Sequence, residues 1–329
     1  MSRSFLAAAE RRGRTVSGAG ARLWVEEIGE RAAVPVLLVH RMAAQSVEWP
    51  DELLEGLLAA GYRVVVFDNR GFGWSEPGPD DPPLTFQDLV DDTICVLDAC
   101  GIDDVHLVGS SVGGVIARCA AQEWHGRVRS LTFLGSSTGD GSLPVWTPAY
   151  TEVAMHPPGP SEVERVDYLV GELRVMSDAR FDPDAARARA ERCVRRGYGL
   201  PALRRVARAA RSRSMGDLDL AALRAIRVPV AVVHGTDDVV LPLAHGEQLA
   251  AAVPGATFTV VEGMNHDIQP HHAEVILGAM LPVLRAGDQR ATDLRATDLR
   301  ATDPFWWDAV ARSSDRIPPE AERTQEEAQ

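Results

Sequence analysis

Short apolar runs alternate with longer stretches of helical periodicity along most of the chain. The runs are rich in β-branched residues and most end in Gly, His or Asp, which is typical of buried parallel strands. They cover residues 21–29, 35–40, 63–68, 105–110, 130–136, 229–235 and 256–263. Apolar residues at helical spacing occupy 84–101, 112–125 and 270–286. This alternation predicts an α/β protein with a mostly parallel, doubly wound sheet, in which ligands bind at the carboxyl ends of the strands.

A long insertion interrupts this alternation between the fifth and sixth apolar runs. It begins with a loop rich in Gly, Pro and Ser and continues with Arg-rich helical patterns at 161–177, 183–197 and 200–213. Because a long insertion between two core strands usually covers a binding site, we assign residues 138–227 to a helical lid. Residues 1–137 and 228–287 then form the core.

The composition changes again near the C-terminus. RATDL at 290–294 repeats at 295–299, and RATD follows. A five-residue period matches no solenoid repeat, so we predict that residues 288–329 are a low-complexity linker and a largely disordered tail. Its one apolar cluster, Phe305, Trp306 and Trp307, is a candidate for docking on the core, which the sequence leaves open.

Composition and charge exclude several classes of function. The net charge of −13 argues against nucleic-acid binding, and the absence of lysine excludes a Schiff-base enzyme and a P-loop. The four cysteines form no CxxC pair, and no cluster of His, Cys and Asp suggests a metal. With neither a signal peptide nor a membrane-length apolar run, we expect a cytoplasmic protein without a cofactor that acts on a small molecule; its oligomeric state stays open.

The segment VHLVGSSVGG at 105–114 contains the strongest chemical motif. The frame G-x-S-x-G fits Gly109 to Gly113 with Ser111 at its centre, whereas a frame centred on Ser110 would have valine at both glycine positions. A nucleophile on a sharp strand-to-helix turn needs small residues two positions away on each side. Because the motif follows a predicted strand and begins a predicted helix, Ser111 is the candidate nucleophile.

A serine hydroxyl is inert without a base, and the base needs an orienting acid. Asp237 and Asp238 follow the run at 229–235, and His266 follows the run at 256–263. The chain order Ser, Asp, His is the order that this strand–turn–helix architecture requires.

The motifs GSSVGG, HGTDDVVLP, GMNHD and DNRGFGWSEPG together resemble the α/β-hydrolase superfamily over about residues 15–285. The segment at 47–75 is similar to aclacinomycin methylesterase-type and haloperoxidase-like serine esterases. The resemblance implies an α/β-hydrolase fold with Asp238 as the acid, His266 as the base and Asp237 as the alternative acid. It also implies that the backbone amides of Met42 and Val112 form an oxyanion hole.

One position departs from this family, because Arg41 stands where it usually has glycine after a histidine. The arginine either restricts the loop or points to the surface, or it brings a guanidinium to the pocket for a carboxylate or enolate oxygen. Trp49 and Trp146 are further candidates for substrate contacts, although both equally fit the core.

The sequence therefore predicts a serine hydrolase that cleaves a carboxylic ester or lactone of a small hydrophobic molecule through an acyl-enzyme. One alternative is a non-hydrolytic step, such as cyclisation or acyl transfer in natural-product biosynthesis, for which Arg41 is the motive. Another is hydrolysis of a C–C bond, which uses the same triad. A non-catalytic binding protein would not need all three triad residues.

Overall fold

A central sheet of eight strands organises the part of the chain that the computed structural model describes, residues 11–18, 20–80, 83–212 and 220–297. The strands are β1 (Arg11–Ser17), β2 (Arg22–Ile28), β3 (Pro35–Val39), β4 (Arg63–Phe67), β5 (Val105–Ser110), β6 (Val128–Leu134), β7 (Val230–Gly235) and β8 (Thr257–Val261). Their order is β1-β2-β4-β3-β5-β6-β7-β8. β1 and β2 pair antiparallel, β2 pairs antiparallel with β4, and all later pairs are parallel. The predicted fold class is confirmed.

The strand β1 was missed by the sequence analysis. Its sequence RRGRTVS has one large apolar residue, Val16, and its exposed positions alternate with partly buried ones. As the edge strand it pairs only with β2, so it needs no continuous apolar run. An apolar-run criterion detects buried strands and fails at such an edge.

The helices cover both faces of the sheet. In the core they are α1 (Asp51–Ala59), α2 (Phe86–Ala99), α3 (Val112–Glu123), α9 (Ala244–Ala252) and α10 (Ala273–Thr297). Successive residues of β3 alternate between two apolar clusters. Leu37 and Val39 pack with α2 and α3, whereas Val36 and Leu38 pack with α1 and α10. Nowhere in the described ranges is a helix both long and apolar enough to cross a bilayer.

Between β6 and β7 the chain forms the helices α4 (Pro148–Ala154), α5 (Glu162–Met176), α6 (Pro183–Gly197), α7 (Leu200–Ser212) and α8 (Leu220–Arg224). Two ion pairs join α6 to the core, Arg196 with Asp68 at 2.7 Å and Arg189 with Asp267 at 2.6 Å. Three of these four side chains are at most 10% exposed. Since buried ion pairs with good geometry resist separation, α6 is held firmly over the carboxyl edge of the sheet.

The predicted linker proves to be partly helical, because α10 continues to Thr297 rather than ending before residue 288. Asp288 accepts hydrogen bonds from the hydroxyl of Tyr62 at 2.9 Å and from Arg129 Nη1 at 2.7 Å, and its carboxylate lies 3.2 Å from Nε2 of His106. The first RATDL copy consists mostly of good helix formers, so it extends the anchored helix. Phe305, Trp306 and Trp307 lie outside the described residues.

Replacing Asp288 by alanine is expected to destabilise the protein, because it removes the acceptor shared by the C-terminal helix and the sheet. Loss of hydrogen bonds to a charged, partly buried group costs about 1–3 kcal/mol, which corresponds to several degrees in Tm. Thermal unfolding of Asp288→Ala should be compared with Asp293→Ala, an exposed aspartate of the same helix. Equal melting temperatures for the two variants would contradict an anchoring role.

Candidate active site

The turn between β5 and α3 carries the candidate nucleophile. Ser111 has a φ of 55° and a ψ of −126°, a conformation that few non-glycine residues adopt. A Cβ on Gly109 would overlap the backbone of Gly113 and Gly114, and a Cβ on Gly113 would overlap the carbonyl oxygen of Val39. Side chains at these two positions would push the strand and the helix apart, which explains the G-x-S-x-G frame mechanically.

The two neighbouring serines occupy different environments. Ser110 is the last residue of β5 and is 2% exposed. Ser111 directly precedes α3 and keeps part of its surface accessible. The apex of the turn is therefore occupied by Ser111.

A buried acid–base pair follows the strands β7 and β8. Nδ1 of His266 lies 2.8 Å and 3.0 Å from the two carboxylate oxygens of Asp238. Oδ1 of Asp238 also accepts the backbone N–H groups of Val240 and Leu241 at 2.9 Å and 2.8 Å. Although burial alone would raise the pKa of Asp238, the neighbouring His266 and these hydrogen bonds hold that pKa below its ordinary value. The carboxylate is thus held ionised against Nδ1 of the imidazole.

The alternative acid, Asp237, points elsewhere. Its side chain is exposed and accepts a hydrogen bond from the hydroxyl of Thr236 at 2.9 Å. Within the described residues, the carboxylate that contacts His266 is that of Asp238. The side chain of Asp238 faces His266, and that of Asp237 faces Thr236.

The end of β6 joins the nucleophile turn to the acid–base pair. The backbone N–H of Ser111 donates to the carbonyl of Leu134 at 2.9 Å. A Cβ built on the next residue, Gly135, would lie 3.2 Å from Oδ2 of Asp238 and 3.7 Å from Nδ1 of His266. Ser111, Asp238 and His266 therefore border the same point at the carboxyl edge of the sheet.

The loop after β3 lies against this turn. The N–H of Arg41 donates to Nδ1 of the preceding His40 at 2.8 Å, and the carbonyl of Arg41 accepts from Asn69 at 2.7 Å. Gly113 of the nucleophile turn packs against the carbonyl oxygens of Val39 and His40. Met42, which follows Arg41, and Val112, which follows Ser111, thus flank the same space, and both keep partly accessible surface.

Arg41 does not occupy a strained position. The residue of this loop with a positive φ is Ala43, at 66°. The backbone strain that we expected for an arginine in place of glycine is therefore not found at Arg41. The guanidinium of Arg41 is buried and pairs with Glu48 at 2.7 Å, the two side chains being 11% and 8% exposed. Although burial alone would lower it, Glu48 and more distant carboxylates raise the pKa of Arg41, which stays charged. The side chain is thus mostly buried and bonded to Glu48, rather than pointing to the surface.

Removing the Arg41 side chain is expected to destabilise the protein, because Glu48 would keep a buried carboxylate without its cation. Breaking a buried ion pair from one side costs about 3–5 kcal/mol, and Arg41→Gly should melt at a correspondingly lower temperature. The double variant Arg41→Met, Glu48→Gln should recover much of the loss. If Arg41→Gly melts normally and loses activity only on anionic substrates, the guanidinium acts on the substrate instead.

Trp49 lies in the wall between this loop and a surface cleft. It is 3% exposed and its ring stacks on that of His40, with centroids 4.1 Å apart. The cleft has a volume of about 620 Å³ and runs between the segment after β3, helix α6 and the loop after His266. Arg189 and Asp267, which form one of the ion pairs of α6, also line it. Trp49 is therefore a packing residue that also borders this cleft.

Trp146 links the insertion to the loop of the candidate acid. Its backbone N–H donates to the carbonyl of Val240 at 2.8 Å, its φ is 63°, and its ring lies 5.5 Å from that of Tyr150. The ring is partly exposed, so it borders accessible space next to the acid loop.

Asn265 is a functional neighbour that the sequence analysis did not select. Its Oδ1 accepts the N–H groups of His266 at 2.7 Å and of Val239 at 3.1 Å. Its Nδ2 donates to the carbonyls of Val175 at 2.9 Å and Ser177 at 3.1 Å. One amide thus joins the base loop, the acid loop and α5. An asparagine directly before the base was the available signal, but spacing alone does not reveal its partners.

The fold also brings together three groups that the sequence keeps far apart. Nε2 of His271 and Nε2 of His272 lie 2.7 Å and 3.1 Å from Oδ2 of Asp178. Because Nδ1 of His272 accepts the N–H of Gln269, its Nε2 carries the proton and donates to Asp178. These three side chains are of the types that bind metal ions. In the part of the chain that the structure describes, hydrogen bonds join them to one another.

Comparisons with known proteins identify the fold family. A model of the alpha/beta hydrolase fold matches residues 34–165. Rhodomycin D methylesterase from Streptomyces sp. (strain C5) is 27% identical in an alignment of 297 positions that covers 80% of this chain and 95% of that protein. 2-Hydroxymuconate semialdehyde hydrolase from Pseudomonas sp. (strain CF600) is 30% identical over 265 residues, 79% of this chain and 89% of that one.

A solved structure is similar over nearly its whole length. The esterase RhEst1 from Rhodococcus sp. ECU1013 superposes with a TM-score of 0.69 at 23% identity, covering 83% of this chain and 98% of that one. At this identity the likeness concerns the fold.

Proposed function

Because the chain belongs to the α/β-hydrolase family, we propose that it is a serine hydrolase that cleaves a carboxylic ester or lactone of a small hydrophobic molecule. The observation that carries the proposal is the position of Ser111, on a strained turn at the sheet edge that also holds the buried His266–Asp238 pair. A similar methylesterase supports ester chemistry.

In the proposed reaction Ser111 attacks the carbonyl carbon of the ester and forms an acyl-enzyme. His266 accepts the hydroxyl proton and returns it to the leaving alcohol, while Asp238 stabilises the imidazolium that forms between these steps. A water molecule, activated by the same histidine, then releases the acid and restores Ser111. No metal or cofactor is needed to balance these steps.

The negative charge that develops on the carbonyl oxygen requires hydrogen-bond donors. We assign this role to the backbone amides of Met42 and Val112, on the loop after β3 and at the start of α3. The N-terminus of α3 adds a favourable dipole at the same place. Each such donor typically contributes about 3 kcal/mol to stabilisation of the transition state.

Hydrolysis of a C–C bond is the second candidate. Its support is the similarity to 2-hydroxymuconate semialdehyde hydrolase, since the triad can serve both reactions. The motive for the non-hydrolytic alternative is Arg41, and the guanidinium of this residue is paired with Glu48.

Turnover on a panel tests the assignment. Aryl esters, lactones and polyketide methyl esters represent the first proposal, and ring-cleavage dienoates represent the second. Hydrolysis of an ester or lactone with an acyl-enzyme that can be trapped on Ser111 supports the first. Turnover of dienoates alone would favour the second, and no turnover of either class together with no labelling of Ser111 would reject both.

A further inference from the structure

A second buried histidine lies beside the candidate acid. His234 is the penultimate residue of β7, four positions before Asp238, and its side chain is fully buried. Its Nε2 lies 2.7 Å from the carbonyl oxygen of Leu241 and 3.5 Å from Oδ2 of Asp238. This Oδ2 is the same oxygen that lies 2.8 Å from Nδ1 of His266. One oxygen of the candidate acid therefore faces two histidines, and the proposed reaction uses only His266.

The surroundings of His234 define its protonation. A carbonyl oxygen only accepts hydrogen bonds, so the contact with Leu241 places a proton on Nε2. Nδ1 is buried and has no hydrogen-bond partner within the described residues. A second proton on Nδ1 would be buried without an acceptor, which is unfavourable. Burial also lowers the pKa of His234, against a smaller opposing effect of Asp238. The ring is therefore neutral and donates through Nε2.

The Nε2–H donor of His234 is connected to the acid through one residue. The carbonyl of Leu241 accepts from His234, and the N–H of Leu241 donates to Oδ1 of Asp238 at 2.8 Å. Both backbone polar groups of Leu241 are thus bonded, one to the end of β7 and the other to the acid itself. The conformation of the acid loop, residues 238–241, consequently depends on the position of the His234 ring.

Helix α9 contacts the same ring. A Cβ built on Gly246 would lie 2.6 Å from Cγ and Nδ1 of His234 and 2.7 Å from its Cβ. Non-bonded carbon atoms prefer separations of about 3.5–4.0 Å, so the helix approaches this closely because residue 246 has no side chain. The imidazole is therefore packed against α9 as well as bonded to the acid loop.

We propose that His234 is a positioning residue of the candidate triad, which holds the acid loop so that Oδ2 of Asp238 faces His266. Asp238 stabilises the imidazolium of His266 only while its carboxylate is directed at Nδ1. Loss of the His234 donor would free the carbonyl of Leu241 and allow the carboxylate to move. A displacement of about 1 Å in a catalytic group lowers turnover by up to about a hundredfold. This inference rests on the proposed ester hydrolysis and adds a residue that acts through the acid.

Variants of His234 test this role through kcat. His234→Leu removes the donor and should lower kcat by about tenfold to a hundredfold with little change in KM, because the buried ring does not contact substrate. His234→Gln has an amide N–H at the same number of bonds from Cα, so it should restore kcat to within a few-fold of the wild-type value.

The matched control is His106→Leu, on the neighbouring part of the sheet. His106 is equally buried, but it lies near the start of β5, at the opposite end from the nucleophile turn, and bonds to Ser130. Its replacement should lower the melting temperature and leave kcat unchanged. Phosphonate labelling counts the active sites in each sample, so that kcat refers to folded protein only.

Gly246→Ala tests the same role if His234→Leu does not fold. The added methyl group must displace the His234 ring, so kcat should fall in the same range. Gly278→Ala, on α10 with open space at the position of its Cβ, should keep the wild-type kcat. A wild-type kcat in either His234→Leu or Gly246→Ala, or an equal loss of kcat in His106→Leu, would overturn the positioning role. Failure of the wild-type protein to hydrolyse any ester would instead reject the proposed function, so the two failures are distinguishable.

Discussion

Ser111→Ala is expected to abolish ester hydrolysis, whereas Ser110→Ala should keep most of it. The alanine variant lacks the attacking oxygen, and loss of a triad nucleophile typically lowers turnover by about 10⁴-fold or more. Ser110 is the last residue of β5 and is buried beneath the turn, so its hydroxyl is not presented to a substrate. Steady-state kinetics on one activated ester compares the two variants directly.

The nucleophile can also be identified chemically. A serine-directed phosphonate should label the wild-type protein on Ser111, and the label should disappear in Ser111→Ala but persist in Ser110→Ala. Peptide mapping that finds the phosphonate on Ser110 would refute the assignment. Melting curves should be recorded for both variants, because Ser110 lies in the core and its replacement affects packing.

Asp238→Asn is expected to lower kcat by around 10⁴-fold while leaving the fold intact. An amide at this position neither stabilises the imidazolium nor holds the histidine in the correct tautomer. Asp238 bonds Nδ1 of His266 and two backbone amides, so the neutral isostere keeps the space filled and changes the charge.

Asp237→Asn is the matched control for the acid. Asp237 directly precedes Asp238, but its side chain is exposed and bonded to Thr236. We therefore expect kcat within a few-fold of the wild-type value. Equal losses of kcat in the two variants would mean that the acid acts through the loop rather than through one carboxylate.

The local sequence is enough to locate most strands and the main helices and to select a candidate nucleophile. Buried parallel strands need apolar residues on both faces, so β3, β4, β5 and β7 appear as continuous apolar runs. The glycine frame around Ser111 reflects atomic overlap within five consecutive residues. Such short-range requirements can be recognised directly in the amino-acid sequence.

Other features depend on contacts between distant segments. The preference for Asp238 over Asp237 as the candidate acid comes from the side chain that faces His266, 28 residues away from Asp238. Asp288 of α10 bonds to Tyr62, 226 residues earlier, so a segment that resembles a linker is tied to the core as part of a helix. Neither outcome follows from residue type or spacing.

The residues around Ser111 show most clearly the difference between what local sequence determines and what long-range contacts determine. The sequence by itself selected Ser111 and His266 as candidates, together with two possible acids, because strand ends and chain order constrain a triad. Only the tertiary structure paired Arg41 with Glu48 and placed the positive φ of this loop at Ala43. The physical reason is that the free energy of a buried charge depends on the groups that pair with it, and folding brings those groups together from different parts of the chain.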